Sequence, residues 1–471
     1  MTRHDFLRCL GAGVGTLGLS TVLASEGLLG SANAAVIDPL APKPGHFPAK
    51  AKNVIFLFMN GGPSHIDLFD YKPALETYKG METSEFNIAN LKEARSQGKL
   101  TPSYYPFKRH GQSGQWVSDA LPHMASVIDE FSVIRSAWAE SNNHAPALFQ
   151  MNTGMTRVGF PSVGSWVTYG LGSANRNMPG FVVMYDYRGG PIGGTQNWGA
   201  GFLPGTYQAM PMRSEGNPIL NLQRPSKLSA QQQRQQIDLM NRLNQKHAAQ
   251  LPGEADLEAR IESFELAYRM QTAAPELLDL KGESESTKRM YGIESGKKTS
   301  YFGAQCLTAR RLVEKGVRFV QLYSGGSHQD DTWDAHGNIR RNHDQHCYET
   351  DKPIAGLIQD LKQRGLLEET LIVWGGEFGR TPFTEGESGR DHHPSGFTML
   401  MAGGGINKGI AYGETDEIGY HASVDRASVH DIHATILNQL GIDHKRLTHA
   451  HNGRRFRLTD VAGQPIRPLI A

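Results

Sequence analysis

The sequence is poor in cysteine and carries no excess of charge. Of its 471 residues only three are cysteines, and none stands in a CxxC pattern, so no thiolate metal site is indicated. Lysine plus arginine number 48 against 47 for aspartate plus glutamate, which leaves no positive field to attract nucleic acid or an anionic membrane. Only 8% of the residues are aromatic, whereas 53 are glycine and 24 are proline. This composition favours a protein rich in turns and loops over a helical bundle, and loops are where sites are usually carried.

The amino-terminal residues have the pattern of an export signal. Arg3 and Arg8 supply positive charge, an apolar stretch of small residues runs over 10–29, and Ala32-Asn33-Ala34 suits a signal peptidase. We therefore predict a signal peptide over 1–34, with a periplasmic or secreted mature protein.

The residues 2–7 are similar to a twin-arginine signal, although His4 stands where the second arginine belongs. A membrane anchor is the alternative, but Glu26 and several polar residues interrupt the apolar stretch, so we expect no stable membrane insertion after cleavage. Cys9 would leave with the signal. Cys306 and Cys347 would remain, either as a disulfide or as two buried thiols.

Alternating helix and strand patterns predict the fold class and its boundaries. The unbroken apolar run at 54–59 is typical of a strand covered on both faces, and 317–323, 370–374 and 397–401 are predicted as further strands. Helical spacing precedes two of them, so we predict an α/β fold with a doubly wound, mostly parallel sheet. We assign 35–52 to a proline-rich linker, 53–471 to one domain, and about 214–300, rich in glutamine and charge, to a helical insertion.

Polar side chains gather just after the predicted strands, where ligands bind in sheets of this kind. Carboxylate and imidazole together, without thiolate, suit a single divalent ion such as Zn²⁺ or Mn²⁺, or Ca²⁺ if carboxylates dominate. Each motif alone could be an ordinary polar turn, and it is their shared location that indicates a site. The candidates are Asn60 and Ser64, then Asp334 and His336, then Glu377 and Arg380, and finally Arg390, Asp391 and His392.

Two sets of motifs carry a resemblance. The run from Leu121-Pro122-His123-Met124 to Thr153-Gly154 resembles the opening of a sulfatase, and Gly376-Glu377-Phe378-Gly379 resembles its later metal loop. More specific are the motifs Asn60-Gly61-Gly62-Pro63-Ser64, Trp333-Asp334-Ala335-His336-Gly337, Glu377-Phe378-Gly379-Arg380-Thr381-Pro382 and Gly389-Arg390-Asp391-His392. These resemble the family called domain of unknown function 1501, which belongs with the alkaline phosphatases and sulfatases.

The resemblance implies one metal position and an altered second one. Asp334, His336 and His392 fall where an Asp, a His and a later His bind the first metal. At the second position, Asn60 and Glu377 replace aspartates and Phe378 replaces a histidine.

The nucleophile position is also altered, because His144 stands where the family's enzymes have Ser, Thr or formylglycine. Two hypotheses follow. In the first, the protein hydrolyses sulfate or phosphate esters, perhaps of polysaccharides, with His144 as nucleophile or general base and Arg380 or Arg390 holding the anion. Ser64 is a replacement nucleophile, or simply a helix N-cap. In the second, the protein keeps its metal and binds an anionic ligand without turnover.

Overall fold

The computed structural model describes residues 38–85, 98–213, 219, 222–224, 226, 228–250 and 255–471. The predicted signal peptide, part of the linker and part of the predicted insertion lie outside these residues. The described residues from Leu40 to Ala471 belong to one compact unit, which carries everything described below.

The strands, in chain order, are listed here with the labels used below: β1 Asn53–Met59, β2 Phe107–His110, β3 Gln115–Ser118, β4 Phe131–Trp138, β5 Phe181–Met184, β6 Met210–Met212, β7 Phe319–Ser324, β8 Thr370–Gly375, β9 Gly379–Glu385, β10 Gly389–His393, β11 Phe397–Ala402, β12 Ala411–Tyr412, β13 Glu414–Thr415, β14 Ala422–Val424, β15 Ala427–Ser428, β16 His449–His451 and β17 Arg454–Phe456. The helices are α1 His65–Leu68, α2 Ala74–Thr77, α3 Pro122–Ser126, α4 His144–Thr153, α5 Val163–Leu171, α6 Ala230–Gln250, α7 Ala255–Leu278, α8 Glu285–Met290, α9 Thr299–Glu314, α10 Ile339–Gln363 and α11 Val429–Gln439.

A nine-stranded sheet forms the centre of the unit. Its order is β12-β4-β11-β8-β1-β7-β5-β6, with β15 also paired to β4. The five strands from β8 to β6 are mutually parallel, whereas β11 runs antiparallel to both β8 and β4. The predicted mixed α/β fold with a mostly parallel sheet is confirmed. The apolar residues of β11 predict a strand, but they do not indicate that it runs antiparallel to its neighbours.

Helices cover both faces of this sheet, as the strand β1 makes clear. All seven of its residues are buried, and alternate side chains enter different hydrophobic clusters. Ile55 and Leu57 lie in the cluster that includes residues of α9 and α10, while Phe56 and Phe58 lie in the one that includes residues of α5 and α11. Because both faces are dry, the strand has an unbroken apolar run in place of alternation.

The direction of the strands brings several loops to one edge. The carboxyl ends of β1, β7 and β8 lie at the same edge because these strands are parallel. Since β4 and β8 are both antiparallel to the intervening β11, the carboxyl end of β4 lies there as well. The loops after β1, β4, β7 and β8 therefore converge, together with the β9–β10 hairpin that follows β8.

Several other polar groups and the two cysteines have plain structural roles. Cys306 and Cys347 are both buried free thiols. His433, in α11, hydrogen-bonds through Nε2 to the Met151 carbonyl at 2.8 Å, and Asp431 forms a capping box with Ser428 at the start of the same helix. Among the described residues, no helix combines the length and the hydropathy needed to cross a bilayer.

Candidate metal centre

Four side chains meet at the converging loops, and we call them the metal cluster: His144, Asp334, His336 and His392. Asp334 and His336 come from the loop after β7, His144 begins α4 beyond β4, and His392 lies in β10. One ligand atom from each lies within 4.8 Å of the others. Three of these residues, Asp334, His336 and His392, are metal ligands predicted from the sequence. The fourth, His144, is predicted from the sequence as a nucleophile or general base.

The ring nitrogens point inward onto one carboxylate. The Nε2 atoms of His336 and His392 lie 2.9 Å and 3.0 Å from Asp334 Oδ1, and Nε2 of His144 lies 3.2 Å from Oδ2. The two Nε2 atoms of His336 and His392 are only 2.8 Å apart.

Each of the three rings is fixed from behind through its other nitrogen. His144 Nδ1 lies 2.7 Å from Glu377 Oε1, His392 Nδ1 lies 2.9 Å from the carbonyl of Asn142, and His336 Nδ1 contacts Glu385. Because all three partners are acceptors, each Nδ1 can donate a proton to its partner. With a cation bound, each Nε2 would present its lone pair to it, which is the arrangement of histidines that bind metals.

The donor set fits a divalent cation. Two imidazole lone pairs 2.8 Å apart repel each other unless a proton or a cation lies between them. Ligand atoms about 2.0–2.1 Å from a tetrahedral Zn²⁺ are separated from one another by roughly 3.3 Å, close to the separations in the metal cluster. Nε2 of His144 is buried as well, and it faces Asp334 Oδ2 at 3.2 Å.

Arg380 lies behind the metal cluster and does not face a ligand. Its guanidinium is fully buried, pairs with Asp334 Oδ1 at 2.7 Å, and donates to the carbonyls of Gly61, Gly62 and Arg390. Burial raises the pKa of Asp334, but Arg380 and the three histidines outweigh it and hold that pKa well below its ordinary value. The location supports a role in orienting Asp334 over the expected role of holding an anion.

Arg390, Ser64 and Asp67 form a separate network, which we call the Arg390 network. Arg390 Nε lies 2.8 Å from Asp67 Oδ2, and the Ser64 hydroxyl donates to the same oxygen at 2.5 Å. All three side chains are fully buried. Ser64 is the N-cap residue of α1, but its hydroxyl caps no backbone group. Arg390, predicted to hold an anion, and Ser64, predicted as a replacement nucleophile or an N-cap, thus both contact the interior carboxylate of Asp67.

Three other predicted ligands surround the metal cluster. Glu377 is fully buried and accepts hydrogen bonds from His144 and from the amide of Gly61 at 3.0 Å. Asp391 accepts from the amide of His392 at 2.8 Å and shares a second group of ligand atoms with His336 and Glu385. The Asn60 amide donates to the carbonyl of Gly325 at 3.2 Å.

Glycine allows the turn after β1 to approach the metal cluster. Gly61 has φ +111°, and a Cβ there would lie 2.7 Å from the backbone nitrogens of Trp333 and Asp334. Any other residue would push this turn away from the loop that carries the ligands.

The surroundings shift the pKa values of His144 and His392 in opposite directions. Burial lowers the pKa of His144, but its hydrogen bonds with Asp334 and Glu377 outweigh this and raise the pKa to about 9. Burial lowers the pKa of His392 to about 3. The metal-free cluster therefore holds a proton on His144 next to a neutral His392, which is the role that a cation would take over.

A cavity of about 170 Å³ opens beside the metal cluster. Its wall includes His144 and Asp334, and it is completed by Asn60, Gly61, Ile192, Ser327, His328, Gln329 and Thr332. Ser327 and Gln329 have φ values of +68° and +54°, a strained region for residues other than glycine. Strain of this kind clusters at functional sites.

A buried ion network braces the loop that carries this strain. Asp186 accepts a hydrogen bond from the Gly325 amide at 3.0 Å, and Arg188 joins Asp186 to Glu349 of α10. His346, also in α10, lies 3.1 Å from the carbonyl of Asp330. The loop therefore rests on the rigid β7 and α10.

Sequence reasoning missed two contributors to this centre, Glu385 and the carbonyl of Asn142, which fix two of the rings. It named His144 as a nucleophile or general base, whereas in the structure this residue supplies a ring nitrogen to the metal cluster.

The described geometry can be set beside known proteins. No curated protein matches this chain. Among solved structures, the chain is similar to a phosphonate monoester hydrolase from Silicibacter pomeroyi (11% identity, 88% of this chain and 76% of the other, TM-score 0.35). A sulfatase from Pseudoalteromonas sp. is similar at 13% identity (83% and 68%, TM-score 0.35), as is the TAB5 alkaline phosphatase at 11% (83% and 98%, TM-score 0.35). These likenesses are too distant to carry an argument about chemistry. The pattern of the family DUF1501, proteins of unknown function, matches residues 51–470, and the chain therefore belongs to that family.

Proposed function

We propose that this protein is an exported, metal-dependent hydrolase of sulfate or phosphate esters. The observation that carries the proposal is the convergence of three imidazole Nε2 atoms and the Asp334 carboxylate beside a cavity. A desolvated donor set of this kind is costly to bury unless a cation occupies it, and hydrolysis is a chemistry that uses such a cation.

The proposed ligands are His144, Asp334, His336 and His392, with one ion per chain. A divalent ion held there supplies Lewis acidity toward an ester oxygen and toward water. Three imidazoles with one carboxylate suit Zn²⁺ or Mn²⁺ better than Ca²⁺, which prefers an all-oxygen set.

The residues around the metal cluster would orient these ligands. Glu377, Glu385 and the Asn142 carbonyl hold the rings, and Arg380 holds Asp334. Both nitrogens of His144 are committed, one to Glu377 and one to the metal cluster, so we assign it to ligation in place of nucleophilic attack. The cavity next to His144 and Asp334 would receive the ester group.

A second candidate function is a metal-containing protein that binds an anionic ligand without turnover. It is favoured by one observation: none of the four side chains of the metal cluster hydrogen-bonds to a serine or threonine hydroxyl or to a thiol. Within the described part of the chain, no hydroxyl or thiol is therefore held against the metal cluster as an activated nucleophile. Hydrolysis by activated water needs none, which is why we prefer the first function.

The substrate source and the location are parts of the same proposal. We propose a sulfated or phosphorylated polysaccharide or small molecule as substrate, the class that the sulfatase-like and DUF1501 motifs of the sequence imply. The signal pattern over 1–34 supports export to the periplasm or beyond.

Metal analysis combined with an ester panel tests the function. We expect close to one divalent metal per purified chain, metal-dependent release of nitrophenol from aryl sulfate or phosphate esters, and loss of both in His336→Ala. The matched control is His451→Ala, a partly exposed histidine of β16 outside the metal cluster. Folded protein without metal would overturn the proposal, whereas bound metal with sulfated-glycan binding and no turnover across the panel would favour the second function.

A further inference from the structure

We infer that the β16–β17 hairpin and the residues beside it form a docking surface for an anionic polysaccharide, separate from the metal cluster. We call it the basic surface, and it consists of Lys445 and Arg446 before the hairpin, Arg455 within it and Arg157 beside it. The surface itself does not depend on the proposed function. The choice of a polysaccharide over other polyanions rests on the export and the substrate class proposed there.

The balanced charge of the whole chain hides a basic segment. Residues 443–460 contain five lysines and arginines against two aspartates, which leaves a net charge of +3, whereas the whole chain carries +1. Both aspartates have partners inside the segment. Asp443 accepts from the backbone amide of Lys445 at 2.8 Å, and Asp460 pairs with Arg454 at 2.5 Å. The excess of positive charge is therefore local.

The four cations of the basic surface have no carboxylate partner. All four side chains are exposed, and none of them forms a salt bridge within the described part of the chain. Exposed lysines elsewhere do pair, as Lys52 does with Glu369 at 2.6 Å. Because unpaired charges of one sign raise the potential of a surface, a ligand with several anionic groups is favoured there.

Two distant chain segments bring these cations together. Arg455 lies in β17, and its guanidinium donates to the hydroxyl of Thr448, just before β16, at 3.4 Å. Arg157, which follows α4, lies 5.2 Å from the centre of the Phe160 ring. That ring is 6.0 Å from the ring of Phe456 in β17. The cation after α4 therefore shares one surface with those of the hairpin.

The hairpin is a rigid support for these charges. Asn452 and Gly453 form its two-residue turn with φ values of +47° and +77°, the conformation that a tight hairpin requires. Its ring side chains pack on Phe202, with centroid distances of 5.1 Å for His451 and 4.9 Å for Phe456. A preformed surface of this kind loses little conformational entropy on binding.

The composition of the basic surface favours a sulfated or carboxylated glycan over nucleic acid and over a membrane. Arginine predominates, and its planar fork pairs with two oxygens of a sulfate, phosphate or carboxylate. Bases and bilayers would use exposed aromatic faces. Phe202 lies beneath the hairpin, and arginines lie over the other two rings, Phe160 and Phe456. These three rings thus support the surface and are not open platforms for bases or for lipid.

Helix α4 connects the basic surface to the metal cluster. His144 begins this ten-residue helix, which is about 15 Å long. The turn after it packs against the chain that leaves β17, since a Cβ at Gly154 would lie 2.3 Å from the carbonyl oxygen of Leu458. A glycan of several sugar units spans this distance, so docking would raise the effective concentration of its ester groups at the cavity.

Binding of a sulfated glycan to the full chain tests the inference. Dextran sulfate and neutral dextran of the same length share one backbone and differ in charge. We expect dextran sulfate to bind with an affinity that falls as salt is added, and neutral dextran not to bind. Equal binding of the two, or binding of neither, would overturn the inference.

A triple variant tests the location. It combines Lys445→Gln, Arg446→Gln and Arg455→Gln. The matched control removes the same number of exposed positive charges elsewhere, in Lys79→Gln, Arg109→Gln and Lys281→Gln. We expect the first set to weaken dextran sulfate binding at least about tenfold and the control set to change it less than about twofold. Equal losses in the two proteins would overturn the location.

A single variant on the other chain segment gives an independent test. Arg157→Gln should weaken dextran sulfate binding by about two- to threefold, since it removes one of the four cations. Unchanged binding in both this variant and the triple variant would overturn the inference.

Further ligands test the choice of a glycan. The probes are an oligothymidylate with as many charges as the dextran sulfate, and vesicles of phosphatidylcholine and phosphatidylserine. Tighter binding of the oligothymidylate, or vesicle binding that the triple variant loses, would overturn that choice.

The His336→Ala protein separates this inference from the proposed function. We expect it to bind dextran sulfate as the wild type does, because the basic surface is distinct from the metal cluster. Loss of binding in this variant would place the glycan at the metal cluster and overturn the inference. Intact binding with no ester turnover by the wild type would reject only the proposed function.

Discussion

The metal cluster and the Arg390 network are both polar groups at one edge of the sheet, yet they differ in how their charges are satisfied. In the Arg390 network each polar atom faces a complementary one: Asp67 accepts from Arg390, from Ser64 and from the Tyr104 amide at 2.8 Å. In the metal cluster three imidazole Nε2 atoms converge on the single Asp334 carboxylate. One-to-one pairing indicates a structural role, whereas several nitrogen atoms that share one carboxylate indicate a place for a ligand. The four predictions below test this contrast, from the largest expected effect to the smallest.

Breaking the Arg390 network should cost stability and leave the metal site alone. Arg390→Met leaves the Asp67 carboxylate buried without its cation, and we expect a loss of about 3–5 kcal/mol in the free energy of unfolding. Urea denaturation measures this. The control is Lys52→Met, which breaks an exposed pair with Glu369 and should cost less than about 1 kcal/mol. Equal effects of the two variants would remove the distinction drawn above.

Removing the ion should destabilise only a protein with an intact metal cluster. At free metal about 1,000-fold above the dissociation constant, binding to the folded state adds about 4 kcal/mol to the free energy of unfolding. We therefore expect a chelator to lower the urea midpoint of the wild type and to leave His336→Ala unchanged. A chelator effect of equal size in that variant would show that the ion binds elsewhere.

The metal-free protein should lose stability as the pH rises. The pKa of His144 is raised to about 9, above the value of about 6.5 expected in the unfolded chain, because its hydrogen bonds with Asp334 and Glu377 outweigh burial. Its protonated form therefore stabilises the fold fully below about pH 6.5, and this contribution disappears as the pH rises through 9. We expect a loss of about 3 kcal/mol between pH 6 and pH 9.5 in urea unfolding of chelated protein.

Two further measurements test this explanation of the pH dependence. His144→Gln should flatten the dependence. In the loaded protein metal affinity should increase with pH, because the ligands must lose protons to bind. A chelated wild type that is equally stable at both pH values would contradict the proposed partners of His144.

The smallest effect should come from weakening a ring's support. The carboxylate of Glu377 accepts hydrogen bonds from His144 and from the Gly61 amide. Glu377→Gln leaves only one acceptor oxygen for these two donors. We expect metal affinity to fall by about 10–100-fold, measured by competition with a chelator of known affinity. Glu414→Gln, at an exposed position of β13, is the control and should not change the affinity.

The main features of the fold could be predicted because they depend on local pattern. The unbroken apolar run of β1 indicates a strand with two dry faces, and the polar residues after β7 and β8 indicate the functional edge. The antiparallel direction of β11 could not be predicted, since the same apolar content suits either direction.

The site was less predictable, since it depends on partners far apart in the chain. Asp334, His336 and His392 stand in recognisable motifs, but His144 reaches them only because the carboxyl end of β4 lies at the same edge. The charge of Arg390 suggested anion binding, and its actual partner, Asp67, is separated from it by 323 residues. The sequence shows which side chains can ionise. The partners that each side chain meets in the folded structure decide which of them remain available to bind a ligand.

The strained segment around Ser327 and Gln329 has a consequence for how ligands would be received. Its left-handed residues are anchored by contacts from β7, α10 and the Asp186–Arg188–Glu349 ion network, none of which involves a ligand. The contour of this side of the cavity is thus set while the chain folds. A ligand would therefore bind to a preformed surface. Molecules of the wrong shape would be excluded by steric mismatch as well as by charge.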